Sequence, residues 1–268
     1  MRDPLEGLSE FGTIQTGTDI TRVHEAFQPV HEAATAMIFE RDTSASVYAY
    51  GSVVTGQAKL GVSDVDVLTI GLPTSDANLI GTQLSTRFAH LCRGVEISAA
   101  RGVDFVGESD ESYGNRAFLR HYCVLLAGSD AHRPKHDFAG DRRAARGFNG
   151  DIAQHARRWR HALDASEDAG LLARRMGRKS LLAVAGLVSV HDHTWTTDRE
   201  ASAHRWSEIE PAMHDGLAQL MSWTSIAQEP RVEVVRDVLD GTVASIVSAF
   251  SELIGLWPDT VRDSVAPR

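Results

Sequence analysis

Two aspartates one residue apart, Asp64 and Asp66, stand in a run that is otherwise apolar: Val65, Val67, Leu68 and Ile70. The alternation predicts a half-buried strand over 65–71, stopped by Pro73 and Ser75. On a strand, residues i and i+2 point to the same face, so both carboxylates share one side while Val65 turns toward core. Like charges that close repel, and burying either costs free energy unless a cation compensates. A divalent ion does so, and paired hard oxygen donors suit Mg²⁺, which keeps waters and also accepts phosphate oxygens.

The preceding strand strengthens this reading. Residues 46–50 (Ser-Val-Tyr-Ala-Tyr) read as a strand that runs into Gly51-Ser52, with eleven residues between Ser52 and Asp64. Glycine lets backbone approach a phosphate closely, and successive amides with the Ser52 hydroxyl can form an anion-binding nest. A third carboxylate is expected on a neighbouring strand. Glu96, between Val95 and Ile97, and Asp104, between Val103 and Phe105, both fit. Glu96 is preferred because it lies on the first strand after the intervening helix.

Periodicity predicts the surroundings. Residues 19–41 read as a helix carrying Ile20, Val23, Phe27, Val30 and Ile38; residues 75–92 read as another. Residues 94–99 and 102–106 look like two short strands in an antiparallel or bulged pair, and 121–127 like a further strand or a helix end. Gly128–Gly150, polar and Gly-rich, reads as a linker. Beyond it strand signals vanish, and 150–165, 168–190, 199–225 and 231–256 fit helices. The expected class is α+β: a catalytic α/β domain with a mixed sheet over 1–140, then an all-α helical bundle over 141–268.

Composition narrows the function. The chain of 268 residues carries net charge −9, which argues against broad nucleic-acid binding and suits a small cationic partner. No apolar run reaches the roughly 18–20 residues of a membrane span, and the first 30 residues lack the apolar stretch of a signal peptide, so a cytoplasmic protein is expected. Cys92 and Cys123 sit in apolar segments and read as reduced core thiols.

Tyr50-Gly51-Ser52, the spacer, and Ser63-Asp64-Val65-Asp66-Val67 together resemble the signature of the DNA polymerase β-like nucleotidyltransferase superfamily. Within it the chain is most similar to streptomycin/spectinomycin-type aminoglycoside adenylyltransferases, which place a helical domain after the catalytic one. The resemblance is specific over residues 50–67 and loose beyond. It implies ATP as nucleotide substrate, two Mg²⁺ held by Asp64, Asp66 and Glu96, and Glu96 as catalytic base. It further implies phosphate contacts from Arg178, ahead of Leu181-Leu182-Ala183-Val184, and from Arg199, after Thr196-Thr197-Asp198. The family's Lys in the Thr-rich turn is replaced by Arg199, and no match stands out for its antibiotic-binding Trp and Asp. The expected acceptor is a small, hydroxylated, cationic molecule, in the manner of antibiotic-modifying enzymes.

Other motifs have ordinary readings. Gly51-x-x-x-x-Gly56 opens like a Walker A sequence, but Gln57-Ala58 stand where Lys and Ser/Thr are needed. His191-Asp192-His193 reads as a polar loop, Arg157-Arg158-Trp159-Arg160-His161 as a solvated helix face, and Trp159, Trp206, Trp223 and Trp257 as helical core. Two rival functions are a nucleotidyltransferase that modifies a protein or tRNA, as in toxin–antitoxin systems, and a non-catalytic nucleotide-binding protein of the same fold.

Overall fold

The computed structural model describes residues 3–224 and 230–258. Its centre is a mixed four-stranded sheet in the order β5-β4-β3-β6: β3 (Ser46–Tyr50), β4 (Val65–Ile70), β5 (Val95–Ala100) and β6 (Val124–Ala127). β3 runs antiparallel to both β4 and β6, and β4 parallel to β5. A separate two-stranded hairpin, β1 (Gly7–Leu8) with β2 (Ile14–Gln15), precedes the sheet.

The strand alternation does what the sequence requires. Val47, Val65, Val67, Val95 and Ile97 point to one face and pack under α1 (Gln28–Arg41) and α2 (Thr74–Arg87), with Val30, Ile38, Ile80 and Leu84. Tyr48, Leu68 and Ile70 point to the other face and pack with Phe105, Leu119 and Cys123, the last two at the end of α3 (Asp110–His121). That second face is covered only in part. Toward the start of β4 and β5 it carries Asp66 and Glu96 instead of apolar side chains.

Several expectations are corrected. The helix expected over 19–41 begins at Gln28. Ile20–Arg22 and Glu25–Phe27 are single 3₁₀ turns, and Pro29 sits in the first turn of α1, where its missing N–H costs nothing. Residues 102–106 are not a strand: Gly102–Phe105 is a 3₁₀ turn, whose Asp104 carboxylate accepts from the Arg101 amide at 2.8 Å and from Arg101 Nη2 at 2.7 Å. The linker Gly128–Gly150 contains α4 (Arg142–Asn149), capped by Asp141, and α3 was not foreseen.

The helical half forms around α6 (Ala169–His191), a helix buried along most of its length because its apolar and small residues face neighbours on all sides. α5 (Ile152–Asp164), α7 (Arg199–Ile209), α8 (His214–Ser222), α9 (Val232–Val238) and α10 (Ala244–Leu253) complete it. α9 and α10 are joined by a π-helical turn at Leu239–Val243, which breaks the single helix expected over 231–256. Trp159, Trp206 and Trp223 are core as expected; Trp257 lies beyond the last helix and donates its indole N–H to the Arg146 carbonyl at 2.7 Å. Trp159 is buried while Arg157, Arg158, Arg160 and His161 are exposed, so that stretch is a solvated face. Cys92 and Cys123 are buried free thiols. No helix among the described residues is long and apolar enough to cross a membrane.

The sheet and the helices are not loosely tethered. Ile14, Ala117 and Phe138 belong to the same apolar core as α6, and α3 crosses α4 where Gly114 meets Gly147 backbone to backbone. A Cβ on Gly114 would strike the Gly147 carbonyl, which cannot rotate away. Gly114→Ala is therefore expected to destabilise the protein by about 2–3 kcal/mol, the scale of overpacking in a rigid site, read as a lowered midpoint in thermal or urea denaturation.

Candidate functional site

Register brings the site together. In the antiparallel pair Tyr50 lies opposite Asp66, and in the parallel pair Asp66 lies opposite Glu96. Tyr50, Asp66 and Glu96 thus form one row across three strands. Asp64 stands one residue before β4 begins, close enough to raise the proton affinity of Asp66. Asp104 sits past the other end of β5, engaged with Arg101, so Glu96 and not Asp104 neighbours the aspartates.

Gly51 follows β3 with φ +79°, a left-handed conformation that other residues rarely adopt. A Cβ there would collide with the Asp66 carboxylate. Gly51 therefore serves two needs, the turn and the space for Asp66. Ser52 leads the tight turn that follows, its carbonyl accepting from Gln57 N at 2.9 Å and Ala58 N at 3.0 Å.

Gly51, Ser52, Asp64 and Asp66 line one wall of a cleft of about 510 Å³, with Glu96 beside Asp66 in the sheet but outside that lining; the opposite wall comes from the helical half, through Arg178, Leu182, Thr197, Asp198, Arg199, Met221 and Thr224. Arg178 lies in the first half of α6 and reaches 3.8 Å from Glu96. Arg199 is the first residue of α7, whose N-terminus Asp198 caps through the amides of Glu200 and Ala201, both at 3.0 Å. Among the described residues no carboxylate lies within ion-pair distance of Arg199, and its Nε is buried without a hydrogen-bond partner. Burial, and Arg178 beside it, lower its proton affinity. A buried, unpaired guanidinium beside a second arginine is an arrangement that an anion would relieve.

Charge on the sheet wall is strained in the opposite sense. Burial, then Glu96, then Asp64 raise Asp66 to a pKa of about 7, only partly offset by Arg178 and Arg199. The donors are hard oxygens of like charge, the chemistry that a divalent ion fits. Yet among the described residues no three Asp, Glu, His or Cys side chains converge as a ready metal cage. Asp64 is engaged instead by Arg93, whose Nε donates to Oδ1 at 2.9 Å and whose Nη2 contacts Oδ2.

Three cleft residues escaped the sequence reading: Arg93, Tyr122 and Glu6. Glu6, on the N-terminal segment, is a part-buried node. It accepts from the Thr197 amide, the Thr197 hydroxyl and the Tyr122 hydroxyl, each at 2.7 Å, while Tyr122 accepts from Trp195 Nε1 at 2.7 Å. Burial raises its pKa against those hydrogen bonds. The node fixes the turn that delivers Arg199. Nothing in Leu5-Glu6-Gly7 signals this, because the partners lie more than a hundred residues away.

No known protein-family model matches the chain, and no curated protein matches it. Among solved structures it is similar to spectinomycin adenyltransferase AAD(9) from Enterococcus faecialis, determined with ATP and spectinomycin. The TM-score is 0.51 at 10% identity, and the match covers 81% of this chain and 98% of that one. The likeness is one of fold: a nucleotidyltransferase-like arrangement of mixed sheet and helices.

The raised pKa of Asp66 makes a stability prediction. A carboxyl whose folded pKa exceeds its unfolded one binds more protons folded, so stability falls as pH rises from about 4 through about 7. In metal-free buffer with chelator, Asp66→Asn should be more stable than the parent at pH 8, by about 1–3 kcal/mol after allowance for relaxation. The gain should vanish near pH 4, as read by denaturant titration at both values.

Proposed function

We propose that the protein is a Mg²⁺-dependent nucleotidyltransferase that moves AMP from ATP to a hydroxyl of a small cationic molecule of aminoglycoside-like chemistry. Residues 1–140 would be its catalytic domain, and 141–268 the helical domain that supplies the second wall. The observation that carries the reading is the pairing, across one cleft, of the crowded Asp64 and Asp66 carboxylates behind Gly51-Ser52 with Arg199, whose buried Nε has no hydrogen-bond partner and which makes no ion pair among the described residues. One wall is short of cations and the other of anions. A nucleoside triphosphate with its metal answers both. The fold likeness to an adenyltransferase solved with ATP is consistent with this and adds the reaction class.

Asp64 and Asp66 would hold the metal, with Glu96 sharing it. Bound there, Mg²⁺ would supply charge neutralisation of the triphosphate and polarisation at the α-phosphorus. Gly51 keeps its own side uncrowded, so backbone amides of the Gly51-Ser52 turn can lie against phosphate oxygens. Arg178 and Arg199 face the β- and γ-phosphates and stabilise the charge that grows on pyrophosphate as it leaves. The acceptor hydroxyl enters from the cleft mouth. Its oxygen forms the new bond to the α-phosphorus, the bond to the bridging oxygen of pyrophosphate breaks, and a Glu96 carboxylate oxygen takes the hydroxyl proton. Glu96 suits this role because its side chain is 58% exposed, open to an incoming substrate in a way that Asp66 is not.

The test is pyrophosphate release from Mg-ATP across a panel of aminoglycosides and aminocyclitols. Asp64→Asn and Glu96→Gln should each lower turnover by roughly a thousandfold or more while circular dichroism stays unchanged. Full activity in Asp64→Asn would refute the assignment. Arg199→Ala should raise the KM for ATP by about tenfold or more and also lower turnover, with a smaller effect on the acceptor's KM. A panel without turnover, but with labelling of a protein or RNA band from cell extract by radiolabelled ATP, would replace the small acceptor by a macromolecular one.

A further inference from the structure

Arg93 forms a two-pronged ion pair with Asp64 at the edge of the carboxylate row. Its fork grips Asp64 through both nitrogens: Nε to Oδ1 at 2.9 Å and Nη2 to Oδ2. A bidentate guanidinium occupies the lone pairs that a metal would use, and it supplies the positive charge that a metal would supply. We propose that Arg93 is a built-in surrogate cation: it holds Asp64 in the metal-free protein and must be displaced for the divalent ion to bind, so that it sets the protein's metal affinity. This rests on the reading of Asp64 as a metal ligand.

Three observations support an exchangeable pair over a permanent structural one. First, the two partners differ in exposure: the Asp64 side chain is 15% exposed, and that of Arg93 44%. The guanidinium is half in water and can leave without a large desolvation change, whereas the carboxylate stays in place. Second, the backbone beneath is pinned independently of the ion pair. Arg93 N donates to the Ser63 carbonyl at 3.1 Å, and Val65 N donates to the Gly94 carbonyl at 2.9 Å, joining the residues that lead into β4 and β5. Release therefore needs only side-chain rotation, and the freed guanidinium remains within the cleft that Arg93 lines. Third, the sheet register accounts for the placement. Val65 pairs with Val95, which sets Gly94 beside Asp64 and Arg93 beside Ser63, so Arg93 and Asp64 meet one residue out of register where β4 and β5 begin. The device is thus part of the site's framework.

Arg178 stands to Glu96 at 3.8 Å in a looser version of the same relation. Two of the three expected ligands thus face guanidinium groups, while Asp66, which has none in contact, carries the raised pKa.

The experiment measures Mn²⁺ binding, without nucleotide, by electron paramagnetic resonance of the free ion. It uses the full-length parent and the Arg93→Met, Arg93→Lys and Asp64→Asn variants. An ion pair closed nine-tenths of the time lowers apparent metal affinity roughly tenfold, so Arg93→Met should bind Mn²⁺ about ten times more tightly than the parent. Arg93→Lys keeps the charge and loses the fork, and should lie between the two. Thermal midpoints without metal should change little across the Arg93 variants, since a half-exposed pair adds little stability. Affinity in Arg93→Met equal to or weaker than the parent's would overturn the proposal. So would Arg93→Lys matching the parent while Arg93→Met tightens, which would mean that net charge alone acts. If Asp64→Asn also binds as the parent does, Asp64 is not a ligand and the reading beneath fails with it. If Asp64→Asn loses binding while Arg93→Met is unchanged, only the surrogate role falls.

Discussion

Asp66 is the group on which the rest of the arrangement turns. It sits inside the sheet between Tyr50 and Glu96, partly buried, with Asp64 close by. A charge in that position costs free energy that no apolar packing returns. The protein contains the cost in stages. Gly51 gives up a side chain to make room, Arg93 takes Asp64, Arg178 leans on Glu96, and Arg199 is brought within electrostatic reach from the helical half. Each device partly compensates and none completes the balance. Sites that must bind a charged ligand need that residual imbalance, because a fully neutralised site would leave the ligand little to contribute.

Delivering Arg199 is the work of the helical half and of the N-terminal segment together. Its position at the start of α7 depends on the turn at Thr196–Asp198. Ser189 holds that turn from α6 at 3.1 Å to the Thr196 amide, and Glu6 holds it from the other side of the molecule. Glu6 also binds Tyr122, which follows α3. Three distant stretches of chain thus meet at one carboxylate beside the cleft. Such a node ties the turn before Arg199 to the N-terminal segment and to the end of α3.

The carboxylate side of the cleft was legible in the sequence because it is local. Gly51-Ser52, Asp64, Asp66 and Glu96 lie within 46 residues on consecutive strands, and strand alternation alone assigns their faces. The parallel register places Glu96, the residue the sequence favoured, and not Asp104 beside Asp66. What escaped was either irregular or remote. The 3₁₀ turns at 20–27 and 102–105 carry apolar residues at spacings that mimic a helix and a strand. The π-turn at 239–243 hides inside a helical period. α3 and α4, rich in Arg, Asp and Gly, look like loop until Gly114 and Gly147 are seen to pack together. Arg93 and Glu6 act through partners that only the tertiary structure brings near.

The charge of the cleft bears on the proposed acceptor. Its lining includes Asp3, Glu6, Asp64, Asp66, Asp198 and Glu200 against Arg93, Arg178 and Arg199, an excess of three acidic groups when all are ionised. A nucleoside triphosphate brings about four negative charges and two divalent ions about four positive ones, so loading the nucleotide site leaves that excess nearly unchanged. Part of it lies away from the carboxylate row, with Asp3, Asp198 and Glu200 near the N-terminal segment and the start of α7. The loaded cleft would therefore remain attractive to cations. A neutral polyol gains nothing from such a field, and an anionic acceptor is repelled by it. An acceptor that carries ammonium groups beside its hydroxyls is steered in and can pair with those carboxylates, which is why the proposed substrate is a cationic one.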